Sequence, residues 1–80
     1  MPKTLQSPRQ EALCAFLVLE RKKAGLTQAD VAKKLGEHQS FVARLESGER
    51  RIDVVEFIRL AEIIGFSARS GIAMIEKIKL

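Results

Sequence analysis

"GLTQADVAKKLGEHQSFVARLESG" (Gly25–Gly48) is the stretch whose reading decides the fold. Three glycines bound two short runs, and each run has helical spacing. In the first, the Thr27 side chain can cap the amide of Asp30 while Asp30 reaches back, and Val31, Ala32 and Leu35 then form one apolar stripe. In the second, turning about 100° per residue gathers Phe41, Val42 and Leu45 into an arc of about 100°. Gln39, Ala43, Ser47, Ser40 and Arg44 gather into another arc of about 140°. The start of this second run is poorly capped, because neither Glu37 nor His38 is a favoured N-cap residue. One of its faces serves a core. The other is polar and needs an explanation.

Working outward, every segment after the second proline keeps helical spacing. A first helix should begin at Ser7-Pro8-Arg9-Gln10, where Ser and Gln form a capping box and proline occupies the first helical position. It runs to about Lys23, with Leu13, Leu17 and Ala24 on one side. Cys14, Val18 and Leu19 make it apolar nearly all round, so it is either central or in contact with a second chain. After the loop Glu49–Ile52, Asp53 and Glu56 form a second box, opening a helix with Phe57, Leu60, Ala61 and Ile64 as its core face. Ser67 caps a fifth helix carrying Ile72, Ile75 and Ile78. Gly71 sits inside it at a cost of about 1 kcal/mol relative to alanine. The reading is a compact all-α domain of five helices over residues 7–80, preceded by a flexible tail at 1–6.

Composition narrows the function. A chain of 80 residues holds one small domain, burying about 60% of its unfolded surface. A single cysteine excludes an internal disulfide and a single histidine cannot complete a zinc cluster with it, so no metal or cofactor is implied. Cys14, in an apolar run, reads as a buried inert thiol. The scattered acids, lone histidine and absent tyrosine offer no acid–base pair or triad, and the chain is not expected to be an enzyme. The net charge of +4 is compatible with a polyanion, although lysine also serves solubility. "ALCAFLVL" (Ala12–Leu19) is followed by "ERKK" rather than a cleavage site and is too short to span a bilayer, which points to the cytoplasm.

The two central helices, joined across "LGEHQ" by a turn of about three or four residues, have the helix-turn-helix arrangement, with its core at 27–48. The segment from Gly25 to Gly65 closely resembles the lambda-repressor-like family, also called the Cro/CI or XRE type. The resemblance rests on Gly-Leu-Thr-Gln at 25–28, Ala32, Gly36, Gln39-Ser40, Leu45-Glu46, Gly48 and the Asp53-capped helix. It implies that the helix at about 38–47 enters the major groove of duplex DNA. The residues agree: Gln39 can bond adenine in bidentate fashion, Arg44 guanine, Ser40 either, and Ala43 permits close approach. In the family the glutamine matching Gln28 clamps the DNA backbone. Ser47, Arg50 and Arg51 are further phosphate candidates. His38 could meet a phosphate or a base edge, and Phe41 either packs or meets a thymine methyl. Arg21 and Glu46 match positions where the family pairs its first and third helices.

The function so implied is a sequence-specific regulator, expected to be a homodimeric repressor on a palindromic operator. The apolar surplus of the first helix and the isoleucines of the fifth are the candidate dimer surfaces. An antitoxin with a toxin partner is one version of this. The rival reading is a protein-interaction adapter that uses the same fold without reading DNA.

Overall fold

The computed structural model describes residues 7–79, so the tail expected at 1–6 and the terminal Leu80 lie outside the described residues. It contains helices α1 (Pro8–Lys23), α2 (Gln28–Leu35), α3 (Gln39–Ser47), α4 (Val54–Ile64) and α5 (Ala68–Glu76), with no strand among the described residues. Here α2 packs on α3 and α4, α1 on α3 and α5, and α4 on α5. This is the five-helix architecture expected. Among the described residues no helix is long and apolar enough to cross a membrane.

Side-chain caps explain where the helices begin. Thr27 and Asp30 close the full reciprocal box on α2. Ser7, Asp53 and Ser67 each accept from the backbone N–H three residues on, which satisfies one orphan donor at the start of α1, α4 and α5. The boxes expected at α1 and α4 are only half formed. The Gln10 side chain turns toward Cys14, its Nε2 lying 3.8 Å from Sγ. The turn between α2 and α3 depends on Gly36, whose φ of 76° is the left-handed conformation. There the Glu37 amide returns to Ala32 O at 2.9 Å, closing the end of α2 and setting the direction in which α3 leaves.

The core is one cluster built on Leu17, Val31, Leu35, Val42, Leu45, Phe57 and Leu60. Val31 and Leu45 are its largest fully buried side chains, so α2 and α3 are fastened through their apolar stripes. Phe16, Phe57 and Phe66 form an aromatic group beside it, with Phe16 and Phe66 edge to face at 5.0 Å. Gly71 abuts this group. A Cβ there would lie 2.8 Å from Phe57 Cζ and 2.9 Å from Phe16 Cε2. The helix-weakening glycine is therefore the residue that lets α5 approach α1 and α4. Cys14 is buried, with Sγ 3.3 Å from Leu45 O, and burial pushes its thiol pKa upward, away from nucleophilic chemistry.

One apolar placement differs from the sequence reading. Ala24 is exposed, because it caps the C-terminus of α1 rather than facing the core. Ile72 is exposed and Ile75 and Ile78 are half-buried, since the close approach of α5 is made at Gly71. On α4, Val54, Val55 and Ile58 are also exposed. Together with Ile72 they leave an apolar outer face on α4 and α5.

Candidate nucleic-acid interface

The candidate interface is built on α3 and the ends that flank it. Gln39, Ser40 and Arg44 are all exposed on α3, while Val42 and Leu45 hold its opposite side in the core. Ala43 is half-buried, although it lies between exposed residues around the helix. His38 is exposed at the N-cap and makes no side-chain cap bond, and its carbonyl accepts from the Phe41 amide at 2.9 Å.

Behind this face runs a chain of polar contacts linking three helices. Arg21, in the last turn of α1, donates from Nε to Glu46 Oε2 at 2.6 Å and from Nη2 to Glu46 Oε1 at 3.1 Å. Its Nη1 donates to Leu26 O at 2.9 Å, tying in the loop before α2. Glu46 Oε1 also accepts from Gln28 Nε2 at 2.9 Å, and Gln28 Oε1 in turn accepts from Gln39 Nε2 at 2.6 Å. The side chains of Arg21 and Glu46 are only 11% and 8% exposed, so their pairing is screened little by water. Glu46 thus faces inward, and its carboxylate is used up in bracing.

The bonding capacity left at the two glutamines matters. Each amide nitrogen carries two hydrogens. Gln39 spends one on Gln28, which leaves one N–H and its carbonyl oxygen, the donor–acceptor pair that a bidentate contact to adenine requires. Gln28 likewise keeps one N–H at the start of α2. The network orients Gln39 without consuming it.

The loop after α3 is less uniform. Ser47 Oγ lies 3.1 Å from Glu49 Oε2 and 3.3 Å from Arg44 O, so its one proton is engaged within the protein beside a carboxylate. That setting is unfavourable for a phosphate. Arg50 and Arg51 are exposed. The Arg50 guanidinium sits 4.6 Å from the centroid of the Phe41 ring, and Phe41 is half-buried against the core cluster. Arg59, which the sequence reading had not singled out, donates from Nη2 to Leu35 O at 3.1 Å and so closes the end of α2. Among the described residues no group of three His, Cys, Asp or Glu side chains could hold a metal ion.

Two short helices joined by a glycine turn, the second braced from behind and polar in front, define a helix-turn-helix domain, the fold of DNA-binding regulators. Sequence comparison agrees: a helix-turn-helix family model matches residues 19–71. An XRE-family like protein from Pseudomonas syringae pv. tomato str. DC3000 superposes with a TM-score of 0.83 at 39% identity, over 92% of this chain and 90% of that one. No curated protein matches. The chain belongs to the XRE-type helix-turn-helix family.

Proposed function

We propose that this protein binds duplex DNA sequence-specifically, with α3 in the major groove, and represses transcription as a homodimer on a palindromic site. The observation that carries the proposal is the line Arg21–Glu46–Gln28–Gln39, which fixes an exposed glutamine at the start of α3 and leaves its donor–acceptor pair unused. Gln39, Ser40 and Arg44 read base edges. Gln28, with its remaining N–H, and the arginines of the following loop hold phosphates, while Ser47 is set aside because of Glu49. One domain of this size reads few bases. Two copies about 34 Å apart on adjacent turns double the sequence read, and the apolar outer face of α4 and α5 gives them a surface to share.

The test is selection from random duplex DNA, with native mass measured in parallel. A palindromic motif and a mass of two chains are expected. Arg44→Ala and Gln39→Ala should each relax preference at one position per half-site, by about ten-fold where a bidentate contact of about 1–3 kcal/mol is lost. Gln28→Ala should weaken binding and also relax preference at the Gln39 position, because Gln28 Oε1 no longer orients Gln39, while the salt slope should stay unchanged, since glutamine carries no charge. Failure to enrich any motif, together with a flat salt dependence, would refute the proposal and leave the protein-interaction reading in its place.

A further inference from the structure

Phe41 and Arg50 form a unit that neither DNA reading nor core packing alone explains. Phe41 lies on α3 between the core arc and the exposed face, and it is half-buried against the core cluster. The Arg50 guanidinium covers its ring at 4.6 Å from the centroid. The backbone N–H of Arg50 also bonds to Arg44 O at 3.2 Å, and Glu49 N–H bonds to the same carbonyl at 3.0 Å. The main chain of Arg50 is therefore tied to the last turn of α3, and its side chain reaches back over the Phe41 ring of that helix. Among the described residues no carboxylate bonds to this guanidinium. A guanidinium held over a ring by its charge keeps N–H donors for a phosphate.

We infer that Phe41 is a positioning residue for phosphate binding: its ring holds the Arg50 guanidinium beside α3, aimed at the DNA backbone. The inference rests on the proposed DNA-binding function. It assigns Phe41 neither to thymine recognition, since Arg50 occupies the ring face, nor to packing alone. An arginine on an unsupported loop would lose side-chain freedom on meeting a phosphate, and the ring removes part of that cost beforehand.

The experiment measures binding by fluorescence anisotropy at several salt concentrations, on a duplex carrying the selected motif and on a scrambled one. Phe41→Leu keeps an apolar side chain against the core. It should weaken binding about two- to five-fold on both duplexes and leave the selected motif unchanged. Arg50→Ala should lower the salt slope by about 0.9, one phosphate's worth. Phe41→Leu added to Arg50→Ala should cost little more than Arg50→Ala alone, and Phe41→Trp should restore binding to the level of the unchanged protein. Independently of any variant, the Arg50 side-chain protons should show upfield ring-current shifts in the NMR spectrum. A changed motif in Phe41→Leu, fully additive losses, or Arg50 protons at random-coil positions would each overturn the inference while DNA binding itself stands. If the unchanged protein binds no duplex, the proposed function fails and this inference falls with it.

Discussion

Replacing Glu46 by alanine removes three hydrogen bonds at once and strands a positive charge. Glu46 accepts from Arg21 at 2.6 and 3.1 Å and from Gln28 at 2.9 Å, and its side chain is 8% exposed. With the carboxylate gone, Arg21, itself 11% exposed, keeps only its bond to Leu26 O. Breaking a buried pair by removing one partner costs about 3–5 kcal/mol. Arg21 sits at the end of a helix, and its long side chain can swing toward water, which relieves part of the desolvation penalty. We therefore expect the lower end, about 3 kcal/mol. For a small domain with a stability of about 0.05–0.15 kcal/mol per residue, that is a large share of the total. Urea denaturation followed by circular dichroism measures it: at a slope of about 1–2 kcal/mol/M the midpoint should fall by roughly 1.5–3 M. The double variant Arg21→Ala/Glu46→Ala should lose less than the sum of the two single losses, because it leaves no orphan charge. A loss below about 1 kcal/mol for Glu46→Ala, with an unchanged slope, would place this pair among ordinary surface bridges and refute the idea that it braces α3.

The remaining predictions concern α5 and α2. Gly71→Ala sets a helix-propensity gain of about 1 kcal/mol against overpacking of about 1–3 kcal/mol, because the new Cβ would lie 2.8 Å from Phe57 Cζ and 2.9 Å from Phe16 Cε2. Phe57 is buried and flanked by Phe66, so overpacking should win; a higher denaturation midpoint for the variant would show that the aromatic group moves aside. The Thr27 backbone N–H, and then its hydroxyl, hold the Asp30 carboxyl below its ordinary pKa of 3.8. A depressed carboxylate contributes stability that is complete above its unfolded pKa and is lost as the pH falls through the folded value, so α2 should loosen only in acid. Asp30→Asn should remove part of that acid-side loss in a pH series of thermal melts, and identical acid profiles for the two proteins would contradict the box.

Much of this fold could be read locally. The buried sets Val31, Ala32, Leu35 and Phe57, Leu60, Ala61, Ile64 were legible because each is a stripe fixed by helical periodicity alone, and Ser7, Thr27, Asp53 and Ser67 each mark a helix start. What periodicity supplies is an angle around one axis, not the identity of what covers that angle. Ala43 sits between exposed residues by angle and is nonetheless half-buried, while Ile72 lies on an apolar stripe and is exposed. Gly71 reads locally as a cost, and its benefit appears only when rings from α1 and α4 arrive beside it.

The same limit explains which parts of the candidate interface were legible. Exposure of Gln39, Ser40 and Arg44 follows from the wheel of α3 once Val42 and Leu45 are buried. Arg21 and Glu46 are 25 residues apart and nothing local joins them, so their pairing came from a family resemblance rather than from spacing. The contacts from Gln28 to Gln39, and from Arg50 to Phe41, depend on how closely α2 and the loop after α3 approach α3. Those distances are set by the packing of side chains such as Val31 and Leu45, which are themselves hidden from the interface. Binding geometry here is thus a consequence of core volume. A core substitution that tilted α3 by a few degrees would separate Gln39 from Gln28 without touching a single exposed residue of that helix.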